Sequence, residues 1–113
     1  NFVQDTVSGF IKAAESSEAI GQVINIGSGA EISIGQLAQL TLELMGKSSL
    51  PVVQEDQRVR PEDSEVNRLW ADNSKAKEAL GWAPQHTLRE GLEATIEWVR
   101  SHLDSYRVES YVV

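Results

Sequence analysis

The sequence predicts an α/β fold in which helices pack on a small mixed sheet, and three observations carry that reading. Two capping-box signatures, Ser33 with Gln36 and Thr87 with Glu90, open segments whose apolar residues recur at helical spacing. Short β-branched runs, Val23-Ile24-Asn25-Ile26 and Leu50 to Val53, read as strands. The composition is that of a folded domain: 113 residues, 41% hydrophobic and 24% charged, too apolar for a disordered tail.

In chain order, Asp5 is placed to cap a helix from about Thr6 to Glu15, with Val7, Phe10, Ile11 and Ala14 as its apolar face and Phe2-Val3 closing a short strand before it. Gly21-Gln22 is a turn, the strand Val23 to Ile26 follows, and Gly27-Ser28-Gly29 ends it. The helix capped at Ser33 carries Leu37, Leu40, Thr41 and Leu44 and stops at Gly46. Leu50 to Val53 is a strand with Pro51 at its start or on an edge. Gln54 to Arg68 is almost wholly polar, and a loop of that length is usually functional or disordered. Leu69-Trp70-Ala71 is a short extended piece. Asp72-Asn73-Ser74 offers three caps for a short helix with Ala76, Ala79 and Leu80 inward and Gly81 as its stop. The helix capped at Thr87 has the clearest stripe, Leu88, Leu92, Thr95, Ile96, Val99 and Leu103. The sum is four helices and two to four short strands in one domain, with residues 104–113 as a tail.

Seventeen acidic residues against ten basic ones give a net charge of −7 and a pI near 4.7. That balance argues against nucleic acid and anionic membranes as partners, since both need a basic footprint. There is no cysteine, which excludes disulfides, thiolate nucleophiles and cysteine zinc sites. No apolar run approaches the roughly 20 residues that span a bilayer. Asn1-Phe2-Val3-Gln4 has neither a basic nor an apolar region of a signal peptide, and the chain is expected to begin inside a longer sequence.

Gly27-Ser28-Gly29 follows a strand and precedes a helix, so it reads either as a plain turn or as a phosphate contact. It departs from the dinucleotide fingerprint: the third glycine is missing and Glu31 brings a negative charge. His86 and His102 stand at no metal-ligand spacing and read as surface residues, and no metal ligands are assigned. No nucleophile elbow or H-E-x-x-H pair is present. In Arg58-Val59-Arg60-Pro61-Glu62-Asp63, two arginines in an acidic loop, one stiffened by Pro61, suit bidentate recognition of a phosphate or carboxylate. Asp63 is placed to accept from sugar hydroxyls. A salt-bridged surface loop is the alternative.

The blocks Phe2-Val3-Gln4-Asp5, Val23-Ile24-Asn25-Ile26-Gly27-Ser28-Gly29, Ile32-Ser33-Ile34, Arg60-Pro61-Glu62-Asp63-Ser64-Glu65, Ala71-Asp72-Asn73-Ser74-Lys75-Ala76, Leu80-Gly81-Trp82-Ala83-Pro84 and Leu88-Arg89-Glu90-Gly91-Leu92 stand in a familiar order. From Phe2 to Arg100 the sequence resembles the C-terminal third of the extended short-chain dehydrogenase/reductases, the NAD-dependent nucleotide-sugar epimerases and dehydratases. The 4,6-dehydratase and 4-epimerase branch is the most similar.

The resemblance implies that residues 1–103 are the substrate-binding region of such an enzyme, lacking most of its Rossmann half. It implies substrate-binding roles for Arg60 on the diphosphate and Asp63 near the ribose, with Arg58 assisting. Asn25, Gly27 and Ser28 match a strand-end turn near the ligand and are read as structural, and Asp72 as a helix cap. The family's glycine-rich NAD loop is absent, and so is its Y-x-x-x-K pair: four residues after Tyr106 stands Ser110. No catalytic or cofactor-binding residue is therefore assigned, and the chain is not expected to catalyse 4-epimerisation or 4,6-dehydration alone. NAD(P) is expected for a full-length parent, with a UDP-, GDP- or dTDP-sugar as ligand and a cytoplasmic location. The alternative is a standalone, non-catalytic binding or assembly module of the same descent. Self-association through an exposed edge at Val23 to Ile26 is a further expectation.

Overall fold

A computed structural model describes residues 1–54 and 68–106. These residues form four α-helices: α1 (Val3–Glu15), α2 (Ile34–Leu44), α3 (Ser74–Leu80) and α4 (Leu88–Ser101). Short 3-10 turns follow α1 at Ser17–Ala19 and α4 at Leu103–Ser105. Helix α1 packs against α3, and α2 against α4. No described helix is long and apolar enough to cross a membrane.

The expected mixed sheet is not there: among the described residues the fold is all helical, with no strand. Val23 to Ile26 takes up no regular secondary structure, and residues 23–32 make no backbone–backbone hydrogen bond with any described residue. A strand exists only through a partner, and here side chains take the carbonyls instead. Lys75 Nζ donates to Val23 O at 3.2 Å, Asn1 Nδ2 to Ile26 O at 3.1 Å, and Asn73 Nδ2 to Gly27 O. Leu50 to Val53 is likewise unpaired and exposed, and Val3 opens α1 rather than closing a strand.

Both capping boxes form as the spacing requires. Ser33 accepts from Gln36 N while the Gln36 side chain accepts from Ser33 N, and Thr87 and Glu90 repeat the arrangement. The Glu90 carboxyl is held below its ordinary pKa by the Thr87 backbone N–H and hydroxyl. Helix α2 ends with Lys47 N–H donating to Leu42 O and Gly46 N–H to Glu43 O, the paired bonds of a left-handed glycine stop at φ +66°. Gly81, at φ +58°, ends α3 and turns the chain so that Trp82 N–H reaches Ala76 O. The terminal carbonyls of α3 also receive donors from α1: Lys12 Nζ on Gly81 O and Ser16 Oγ on Ala79 O.

Asp5 is not the N-cap of α1; Phe2 holds that position without a side-chain cap. The Asp5 carboxylate turns inward, 4% exposed, and accepts from Gln85 N (3.0 Å) and His86 N (3.2 Å). His86 Nδ1 lies 2.8 Å from Oδ1 and must be the donor, because an ionised carboxylate only accepts. Trp82, 1% exposed, donates its indole N–H to Ser8 Oγ at 2.9 Å and to the Asp5 carbonyl at 3.2 Å. Phe2 packs edge-on to the His86 ring and fills the space above Gly91, where an added Cβ would approach Phe2 Cβ to 3.0 Å.

This knot is the centre of a thin core. Among the described residues Ala76 and Trp82 are the buried apolar side chains, while Val7, Phe10 and Ile11 of α1 are exposed, Phe10 by 70%. On α4, Leu92, Ile96 and Val99 are half-buried, but Leu88, Thr95 and Leu103 are exposed.

Asp5→Ala should lower stability by about 1–3 kcal/mol, since it removes the buried acceptor of three part-buried donors; chemical denaturation reads this directly. Burial pushes the Asp5 carboxyl pKa up, but the His86 side chain, then the Gln85 and His86 N–H groups and the His86 charge, outweigh it and leave the pKa lowered. The folded value lies below the unfolded one, so the stabilisation is complete above about pH 4 and is lost as pH falls through the folded value. Asp5→Asn should flatten this acid limb in denaturation midpoints measured from pH 7 to pH 2.

Candidate functional site

The polar stretch Gln54 to Arg68 carries the residues expected to bind substrate, and the fold holds the residues that follow it. Arg58, Arg60 and Asp63 themselves lie outside the described residues, which stop at Gln54 and resume at Arg68. Beyond Arg68, three contacts seat the returning strip on the Gly27–Glu31 turn. The Arg68 guanidinium forks onto Glu31, with Nε 3.1 and 3.0 Å from the two carboxylate oxygens and Nη2 on Oε1. Ala71 lies against Gly27, where an added Cβ would come within 2.5 Å of the Ala71 Cβ. Asn73 Nδ2 donates to Gly27 O.

Each contact has a local cause. Gly27 is buried and has no side chain, so the strip can approach its backbone closely. Gly29 takes φ +69°, a left-handed conformation that turns the chain toward Glu31. Asp72 is not the N-cap of α3, a position Asn73 holds without a side-chain cap; from one residue earlier its Oδ1 accepts from Ser74 N and Ser74 Oγ, which lowers the Asp72 pKa. Asn73 Oδ1 is buried with no partner among the described residues. The Glu31 carboxylate raises the Arg68 pKa above its ordinary value.

The same geometry decides the two readings of Gly27-Ser28-Gly29 in favour of the turn. A dinucleotide cradle needs open backbone N–H groups running into a helix N-terminus. Here Ala71 and Asn73 fill the space over Gly27, Ser28 Oγ donates to Ala30 O, and α2 begins only at Ile34 with its own cap in place. The residues present do not fit the pyrophosphate of NAD(P).

No group of three or more His, Asp or Glu able to hold a metal ion occurs among the described residues. Between α1, α3 and residues 19–26 lies an apolar groove of about 230 Å³, lined by Phe10, Ala13, Ala19, Ile24, Ile26 and Leu80. It carries no acid, base or nucleophile.

His86 was the residue that the sequence most misled on. It is oriented by a buried carboxylate rather than lying free on the surface. The partners stand 81 positions apart, so no local spacing could pair them. The available signal was Asp5 itself, four residues before Gly9 on one face of α1, with both residues buried.

The chain belongs to the epimerase/dehydratase family of the extended short-chain dehydrogenase/reductases: the family model described as GDP-mannose 4,6 dehydratase matches residues 1–95. It is 33% identical over 100 residues to a UDP-glucose 4-epimerase of Mycolicibacterium smegmatis, covering 88% of this chain and 30% of that protein. It is 29% identical over 108 residues to a GDP-mannose 3,5-epimerase of Arabidopsis thaliana, covering 96% and 26%. It is 34% identical over 116 aligned positions to UDP-glucuronic acid decarboxylase 1 of Xenopus tropicalis, covering 98% and 25%. The chain thus spans between a quarter and three-tenths of the length of these relatives. No solved structure matches it.

Gly27→Ala should be destabilising by about 1–3 kcal/mol, because two backbone-borne methyl groups cannot share a 2.5 Å gap. Ala71→Gly in the same chain should recover part of that loss, which thermal melts of the single and double variants would show.

Proposed function

We propose that residues 1–103 are the nucleotide-sugar-binding segment of an NAD-dependent epimerase or dehydratase, and that the segment is not catalytic alone. The observation that carries this reading is the family match over residues 1–95, which encloses Arg58, Arg60 and Asp63. Similar proteins are named for UDP-glucose, UDP-glucuronate and GDP-mannose chemistry. Their reactions differ, but a sugar linked to a nucleoside diphosphate is common to them, so the diphosphate is the feature a shared segment would grip.

Arg60 supplies the fork that matches diphosphate oxygens in a bidentate manner, Arg58 adds a second positive charge, and Asp63 accepts from ribose hydroxyls. Hydride transfer needs a nicotinamide site and a proton-transfer pair. The glycine turn does not fit the first, and Tyr106 lacks a lysine four residues on. In this reading NAD(P) and the reacting groups reside elsewhere in a longer enzyme.

Calorimetric titration of the 113-residue chain with UDP-glucose, GDP-mannose and dTDP-glucose tests the proposal. Binding of at least one is expected, and Arg60→Ala should weaken it tenfold or more, the effect of losing a charge-assisted pair of about 1.5–3 kcal/mol. The helical circular-dichroism signal should stay unchanged. Absence of binding to all three sinks the reading, and so does a loss of helix in Arg60→Ala that matches its loss of affinity.

A further inference from the structure

We infer that His102 is an acid-tightened clasp on the C-terminal end of α4, seating the turn that carries Tyr106 against Trp98 more firmly when its imidazole is protonated. The clasp stands apart from the nucleotide-sugar reading, which gives these residues no role.

The helix ends by tightening. His102 N–H donates to Val99 O, three residues back, at 3.1 Å. The Trp98 carbonyl, four residues back, is thereby left without the donor that a continuing α-helix supplies. Side chains replace it: His102 Nδ1 lies 2.8 Å from Trp98 O, and Ser101 Oγ donates to the same oxygen at 2.9 Å. A carbonyl only accepts, so Nδ1 carries the hydrogen and, in the neutral ring, Nε2 keeps the free lone pair. The imidazole also lies flat on the Trp98 indole, with ring centroids 4.3 Å apart and planes 15° from parallel. Tyr106 follows the 3-10 turn Leu103–Ser105 and meets the same indole edge-on at 6.3 Å.

Protonation at Nε2 adds a charge without breaking any of these contacts. The cation then rests over an indole face and beside the carbonyls of a helix C-terminus, the negative pole of the helix. Its charged neighbours leave that attraction in place. Asp104 stands in the following turn, and Arg100 faces Glu97 at 3.8 Å. Helix α2 brings Glu43 to Arg89 at the opposite end of α4, and Tyr106, the other titratable group of the cluster, touches the indole. His102 is exposed, so the ring exchanges protons freely with solvent. Imidazole is the side chain that changes charge between about pH 5 and pH 8. The element it biases is the end of the helix with its 3-10 turn, seated on Trp98 or frayed from it.

Amide hydrogen exchange of the 113-residue chain, corrected for its intrinsic pH dependence, tests the clasp together with the nuclear magnetic resonance signal of the Trp98 indole N–H. The His102 and Tyr106 amides close the tightened turns, on Val99 O and Leu103 O. Their protection should rise about two- to fivefold between pH 7.5 and pH 5.5, the effect of a cation at a helix C-terminus. The indole signal should move with the same midpoint. His102→Gln keeps a donor without the charge, and His102→Phe keeps a stacking ring without donor or charge; both should abolish the rise. Protection that stays constant across this range in the unsubstituted chain overturns the inference. A rise that persists in His102→Gln overturns it too, since the titrating group would then lie elsewhere, at His86 and Asp5.

Discussion

The fold depends on one buried carboxylate. Asp5 draws the N-terminal turn of α1, the indole of Trp82 and the backbone entering α4 to a single point, and its three donors come from residues 85 and 86. A buried carboxylate is tolerable only when its acceptor capacity is met, and a hydrogen bond to a charged group is worth more than one between neutral groups. The strength of this point offsets a core that is otherwise poor, with Ala76 and Trp82 as its buried apolar side chains. The ends of α3 show the same strategy: Lys12 and Ser16 of α1 supply donors to carbonyls that a helix C-terminus leaves open.

A second theme is the mismatch between amphipathic pattern and burial. Helix α1 has an apolar face at Val7, Phe10 and Ile11, yet its buried residues are Asp5 and Gly9. Gly9 is buried because the run Val23 to Ile26 passes directly over it, with Ile26 Cδ1 within 2.9 Å of where a Cβ would stand. The helix therefore binds its neighbours through a small residue and a carboxylate, and its large aliphatic residues face outward. In α4 the half-buried positions are Leu92, Ile96 and Val99, a narrower stripe than the periodicity outlines.

What the sequence made legible was local. The two capping boxes and the stops at Gly46 and Gly81 depend on residues within a few positions of one another, and all of them form, whereas the N-cap of α3 falls to Asn73 rather than Asp72. The expected sheet did not form because pairing is a property of two segments, and the β-branched run Val23 to Ile26 has no backbone partner among the described residues. Asp5 looked like an N-cap because an aspartate before a helical stripe normally is one; its true partners lie 80 and 81 positions away. The Gly27 turn was recognised as a turn, but its tight seat for Ala71 and its bond to Asn73 needed coordinates. Family membership followed from the order of blocks, a long-range property that sequence does carry.

The separation of those partners has a kinetic and evolutionary side. Asp5 and Ser8 meet Trp82 across 77 and 74 positions, and Lys12 meets Gly81 across 69. Forming the knot encloses nearly everything between α1 and α3 in one closed segment, so a long entropic search precedes the contacts that reward it, and folding should be slower than helical content alone suggests. Once that segment is closed, its length matters little: doubling a flexible loop adds only about 0.6 kcal/mol. The stretch between Gln54 and Arg68 can thus lengthen, shorten or change sequence with little effect on the knot. Selection could reshape this stretch while the aspartate and tryptophan stay where they are.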